Sequence, residues 1–161
     1  MTTSATDGLL RTFYDAFGRR DAEAMVACYA DDVVFSDPVF PELVGERARG
    51  MWRMLCGRAR DLRVTYQVLS ADETRGEVAW EAWYEFSATH RHVHNRIVGR
   101  FELRDGRIVR HADRFDFWRW SRQALGPTGL LLGWTPLVRR KVQAQAAAGL
   151  DAFLRKAAPS A

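Results

Sequence analysis

The chain of 161 residues is poor in cysteine, proline and lysine, and it has no long apolar run. Each shortage excludes something. The two cysteines, Cys28 and Cys56, form no CxxC pair, so a disulfide scaffold is excluded; both thiols are expected reduced, packed within helices. Five prolines and twelve glycines, with no internal repeat, exclude a collagen-like or linker-type chain. The longest apolar stretch, Gly129 to Trp134, is far too short to span a bilayer, and no membrane partner is expected. The opening MTTSATDG lacks a basic and an apolar leader region, which points to the cytoplasm. Lysine occurs only at 141 and 156, against 22 arginines, and no basic run exceeds Arg139-Arg140-Lys141. The arginines alternate with Asp and Glu. The net charge of +4 therefore carries no concentrated footprint for nucleic acid. GxSxG, Walker A, GxGxxG and HExxH motifs are all missing, and no cofactor is expected.

What is present is aromatic. Six Trp, nine Phe and four Tyr, within an apolar fraction of 47%, suffice for a core and for a ring-lined pocket. Apolar residues at helical spacing (Leu9, Leu10, Phe13, Phe17) give a first helix capped by Thr6 or Asp7, with residues 1–6 frayed before it. Asp21 caps a second helix whose buried face runs to Tyr29. Asp31-Asp32 reads as a turn and 33–36 as a short strand ending at Asp37-Pro38. A Pro/Gly loop leads to a third helix over 46–59. The period then changes to two, with strands at about 62–70, 77–88, 92–104 and 107–118, and Asp105-Gly106 is the clearest hairpin signal. The fold class is α+β: a curved antiparallel sheet packed against three N-terminal helices. Residues 1–118 form the domain. Residues 119–161 form a C-terminal helical extension, in which Thr135 caps a last helix opened by Pro136.

Strand parity selects the inward side chains. Val78, Trp80, Ala82, Tyr84 and Phe86 face the helices on one strand. Val93, Asn95, Ile97, Gly99, Phe101 and Leu103 do so on the next. On the last strand the inward set is Val109, His111, Asp113, Phe115 and Phe117, which places an imidazole and a carboxylate among rings. Asp37, held by Pro38, is the other candidate. A carboxylate there, against an apolar cavity, has its pKa raised toward the range a general base needs. It is also a residue type that bonds backbone amides in turns. His90, His92 and His94 form HxHxH, but their strand face carries Arg96, Arg100 and Glu102 and no completing ligand; a solvated hairpin is expected, with no metal.

The run FYDAFGRRDAEAMVACYADDVVFSDPVF, then GERARGMWRML, then RFELRDGRIVRHADRFDF, resembles the nuclear transport factor 2-like superfamily, in its ketosteroid isomerase and SnoaL-like polyketide cyclase branch. The resemblance covers about residues 8–118. It implies a cone with a hydrophobic pocket at its open end. In ketosteroid isomerases the base is the Asp before Pro, which matches Asp37-Pro38. Their helix tyrosine is matched by Phe13, with Tyr14 offset by one residue and pointing elsewhere; Ile97 stands at or near their oxyanion-hole Asp. Steroid isomerisation proper is thus disfavoured. In SnoaL-like cyclases and limonene epoxide hydrolases a last-strand Asp does acid/base work, which matches Asp113. The epoxide hydrolases' Arg and Asp pair is absent, since Trp80, Ala82 and Tyr84 occupy those inward positions.

The expectation is a cofactor-independent isomerase or cyclase acting on a small apolar carbonyl or polycyclic molecule. Asp37, His111 and Asp113 would do the chemistry, and Phe13, Trp52, Trp80, Tyr84, Asn95 and Phe115 would line the same cavity. The alternative is a non-catalytic binding or dimerisation module of the same fold. A homodimer is expected through the outer sheet face (Glu81, Trp83, Glu85, Arg96, Arg100, Arg114). The Leu130-Leu131-Leu132 and Trp134 segment is too apolar for solvent. It is expected either to cap the pocket or reach the partner, or else to pad the outer face of the sheet.

Overall fold

The computed structural model describes residues 4–158. The helices are α1 (Ala5–Gly18), α2 (Ala22–Ala27), α3 (Glu46–Arg58), α4 (Phe117–Leu125), α5 (Pro127–Leu132) and α6 (Pro136–Ala157). The strands are β1 (Tyr29–Ser36), β2 (Leu43–Val44), β3 (Arg63–Ala71), β4 (Arg75–Phe86), β5 (Arg91–Arg104) and β6 (Arg107–Arg114). The six strands form one sheet in the order β2-β1-β6-β5-β4-β3. β3 to β6 are an antiparallel meander, as the alternation predicts. β1 closes the sheet by pairing parallel to β6.

Caps set the helix starts. Ser4, rather than Thr6 or Asp7, caps α1 by accepting from the Asp7 amide, while Thr6 is buried and donates to the Glu73 carbonyl. Of the residues expected to fray, 1–3 lie outside the described ones. Asp21 and Thr135 cap α2 and α6 as read from the sequence. Tyr29 belongs to β1, not to α2, and Cys28 ends α2. Asp31-Asp32 is a bulge inside β1, where the register against β6 slips between Tyr29 and Val34. Both carboxylates stay in solvent there, which a flat strand facing the core would forbid.

A second bulge corrects the parity of β6. The register shifts so that Leu103 pairs Ile108 and Glu102 pairs Arg110. Ile108 is fully buried and Val109 is not, the reverse of the expected order. From Arg110 onward the expected parity holds. The strand also ends at Arg114. Phe117, Trp118 and Trp120 therefore lie on α4, whose N-cap is Asp116.

The main core lies between the inner sheet face and α1 to α3, around Phe13, Phe17, Phe35, Trp52 and Phe101. A smaller cluster of Val93, Phe117, Trp120, Ala124 and Val142 ties α4 and α6 to the sheet end. The outer face carries cross-strand pairs: Arg100–Glu77 at 3.0 Å, His94–Glu81 at 2.8 Å, and Trp83 stacked on His94 at 4.4 Å. Such exposed pairs add little each.

The extension packs on its own domain. Leu150 of α6 is fully buried within the main core, and Arg47 of α3 pairs Asp151 at 2.6 Å. Leu130, Leu131, Leu132 and Trp134 do not cover the pocket or the sheet; they are exposed. Truncating a buried leucine costs about 2–5 kcal/mol. We predict that Leu150→Ala lowers the urea midpoint accordingly, in one cooperative transition, because α6 shares the core of the domain.

Candidate active site

A cavity of about 380 Å³ opens between the inner sheet face, α3, α4 and α6. This is the size range of small-molecule sites. Trp52, Trp80, Tyr84, Asn95 and Phe115 line it, with both Asp37 and Asp113 in its wall. These side chains come from six different elements or loops, which the strand parity and the α3 stripe bring to one side. Val142, Gln145, Ala146 and Gly149 of α6 contribute a further wall.

Asp37 leaves β1 into the loop fixed by Pro38. Its Oδ1 accepts from the Val39 amide at 2.7 Å and the Phe40 amide at 2.6 Å. Gln143 of α6 donates to the Pro38 carbonyl at 3.0 Å and holds the loop from the other side. The turn role and the site role thus coexist in one carboxylate. With both amides on Oδ1, no protein group among the described residues engages Oδ2. The group retains some access through the cavity yet is enclosed by protein. That desolvation, with the negative charge of Asp113 assisting, pushes its pKa up to about 7. The amides of Phe40 and Val39 and the Arg139 cation pull the other way and do not win.

Asp113 is set by a buried relay. The Trp52 indole N–H donates to the Tyr29 hydroxyl oxygen at 2.7 Å, and that hydroxyl lies 2.7 Å from His111 Nδ1. His111 Nε2 lies 2.9 Å from Asp113 Oδ1, to which Trp80 Nε1 also donates at 3.3 Å. An indole can only donate, so Tyr29 receives from Trp52 and spends its own proton on Nδ1. Nδ1 then accepts, and Nε2–H donates to Asp113. The donors along the chain thereby assign the imidazole tautomer. His111 is fully buried among Phe13, Phe35, Phe101 and Trp52, so it stands behind Asp113 and does not reach the cavity. Phe13, expected in the lining, lies in the same core layer, edge-on to Trp52. Phe17, one turn further along α1, lines the cavity in place of Phe13.

Sequence reasoning missed four participants. The helical stripe of α2 extends to Tyr29, and on a helix its hydroxyl has no reason to meet β6. Gly99 pairs Asp113 in register, and a Cβ there would stand 2.8 Å from Asp113 Oδ1 and 3.0 Å from the Tyr14 hydroxyl. Only glycine leaves that space. Tyr14 points inward, not elsewhere on the helix: it is buried against Trp80, and its hydroxyl finds no partner among the described residues. Trp120 of α4 donates to the Tyr84 hydroxyl at 2.8 Å, so the Tyr84 proton is free for the cavity. Nothing in the sequence around Trp120 signals a partner on β4.

The HxHxH residues are used locally. His90 pairs with Glu85 and His94 with Glu81, and no group of three metal-ligating side chains converges among the described residues.

An open cone of one bent sheet wrapped on three helices, with carboxylates in its mouth, is the nuclear transport factor 2-like fold. The chain belongs to the SnoaL-like domain family, which matches residues 10–111. Solved structures agree on the fold. A candidate polyketide cyclase from Silicibacter sp. TM1040 superposes with a TM-score of 0.67 at 19% identity, covering 76% of this chain and 97% of that one. A candidate polyketide cyclase from Xanthomonas campestris pv. campestris gives 0.63 at 25% identity, over 74% and 96%. An epoxide hydrolase from Mycobacterium tuberculosis, like the limonene enzyme, gives 0.58 at 23%, over 79% and 92%. No curated protein matches the chain.

The raised pKa of Asp37 has a stability consequence. Between the ordinary carboxylate value and about 7 the folded state holds a proton that the unfolded chain has released, so stability falls as pH rises through that window. Asp37→Asn keeps the amide-accepting oxygen and removes the buried charge. We predict a melting temperature above wild type by roughly 5 °C at pH 8, with the gain shrinking toward pH 4, as read by calorimetry.

Proposed function

We propose that this protein is a cofactor-independent acid/base catalyst that moves a proton at carbon next to a carbonyl in a small apolar substrate, the chemistry of an isomerase or cyclase. The observation that carries the reading is a cavity that holds a desolvated carboxylate together with two side-chain donors, Tyr84 and Asn95. Asp37 Oδ2, with a pKa of about 7, is the base and afterwards the acid that returns the proton. Tyr84, whose oxygen accepts from Trp120 and whose O–H is thereby left to donate, and the Asn95 amide, unengaged by other side chains among the described residues, donate to the oxygen that gains charge. Asn95 lies opposite Ala82 and Tyr84 opposite Val93, so both project from neighbouring rungs of one inward face. Trp52, Trp80 and Phe115 hold the apolar body of the substrate. Asp113, fixed by His111 and Trp80, supplies the second negative charge that keeps Asp37 basic. Tyr29 and His111 are positioning residues that act through it.

Proton exchange tests this without knowledge of the natural substrate. In D2O, wild type is expected to accelerate deuterium uptake at the α-carbon of some member of a panel of cyclic and aromatic ketones, with a rate that rises with pH and levels above about 7. Asp37→Asn lowers the rate by roughly 10²–10⁴ and Tyr84→Phe by roughly 10². Ketones that quench tryptophan fluorescence yet never exchange would instead identify a binding module. Like the sequence, the reading includes a homodimer through the outer sheet face, centred on Trp83 between Arg63 and His94. Sedimentation at micromolar concentration is expected to give a dimer that Trp83→Glu dissociates.

A further inference from the structure

The corner made by α5 and the start of α6 presents large apolar side chains to solvent: Leu130 at 51%, Leu131 at 68%, Trp134 at 69% and Leu137 at 75% exposure. This is not a loose segment. Gly129 and Gly133 press against Ser121 of α4 so closely that a Cβ at either would fall on Ser121 atoms, which pins the small-residue side of α5 to α4 and turns the leucines outward. The Trp134 indole N–H is satisfied by the Leu131 carbonyl at 3.0 Å, leaving its carbon edge free. Trp118, beside Leu130 through a 3.2 Å hydrogen bond, extends the ridge.

The segment that carries this ridge is cationic, and the acids beside it are Asp116, which caps α4, and Glu85, which pairs with His90. From Phe117 to Leu150 the sequence contains no Asp or Glu and five cations: Arg119, Arg122, Arg139, Arg140 and Lys141. Arg122 lies over the Trp118 ring at 4.5 Å, joining the ridge to an open groove lined by His90, Arg91, His92 and Arg119. A two-fold contact of the ridge with itself would bring these cations against their own copies. An anionic lipid surface matches both features at once, since Leu and Trp enter the boundary between headgroups and acyl chains while Arg and Lys meet phosphates.

We propose that the α5–α6 corner is a docking surface for an anionic lipid bilayer, with Leu131, Trp134 and Leu137 inserted and the surrounding cations on the headgroups. The proposal goes beyond the acid/base reading of the cavity and does not depend on it. The α6 helix that begins in this corner continues into the cavity wall at Val142 and Ala146, so docking would set the cavity beside a store of apolar molecules.

Co-sedimentation with phosphatidylcholine vesicles, with and without phosphatidylglycerol, tests it. The wild-type chain is expected to bind the anionic vesicles at low salt, to bind pure phosphatidylcholine at least tenfold less, and to be released by high salt. Leu131→Ser with Trp134→Ser is expected to cut binding at least tenfold while the thermal transition and ketone exchange stay at wild-type levels. Arg140→Glu with Lys141→Glu, which leaves the ridge intact, is expected to weaken it severalfold. No binding to anionic vesicles, or binding that the serine variant leaves unchanged, overturns the proposal. A dimer that the serine variant dissociates, with no vesicle binding, assigns the ridge to a second copy and overturns it equally.

Discussion

A carboxylate in the wall of an aromatic cone persists only if donors reach it, and those donors must themselves be satisfied without water. Asp113 meets this condition through Trp80 and through a line of groups running from Trp52 across Tyr29 to His111. The line crosses α3, β1 and β6 and ends on Asp113, where a donor from β4, Trp80, meets it. It therefore dictates much of the rest. β1 has to begin at Tyr29 and run parallel to β6 for the hydroxyl to face His111. The β6 bulge at Val109 has to correct the parity before His111, or both the imidazole and Asp113 would turn to solvent. Gly99 has to lack a side chain so that the carboxylate fits beside β5.

The site gains its reactivity from what this arrangement leaves unmet. Asp113 is held by strong donors and leaves its charge in the cavity wall. Asp37, opposite, has two backbone amides on one oxygen and enclosure around the other, so its proton affinity rises to about the value of neutral solution. Two carboxylates in one cavity are kept distinct by environment alone, the ordinary route by which similar groups take different roles. The same desolvation weakens the fold above that pH, so part of the stability supplied by the rings offsets a function.

The C-terminal extension changes the cone more than its position at the chain end suggests. α6 buries Leu150 in the main core, supplies one wall of the cavity and holds the Asp37 loop through Gln143. α4 supplies Trp120, which frees the Tyr84 proton. The SnoaL-like family match covers residues 10–111, so the parts of the chain that make these contributions lie outside it.

Local patterns determined a good part of this protein. The period-two alternation of residues 77–114 and the helical stripes of α1 and α3 are short-range signals, and they already place Trp52, Trp80, Tyr84, Asn95, Asp113 and Asp37 on one side of a sheet. The caps at Asp21 and Thr135 and the Asp37-Pro38 turn are equally local. What only the tertiary structure decided depends on contacts between distant segments. A bulge inverts parity without any mark in composition, so Ile108 and Val109 exchange places. Packing of rings from α1, β1, α3 and β5 around His111 puts Phe13 and the imidazole behind the cavity. Tyr29, 82 residues before His111 in the chain, becomes part of the site only when β1 lies beside β6. The pKa of Asp37 likewise reflects enclosure by elements gathered from the whole chain, and no window of sequence around it contains that information.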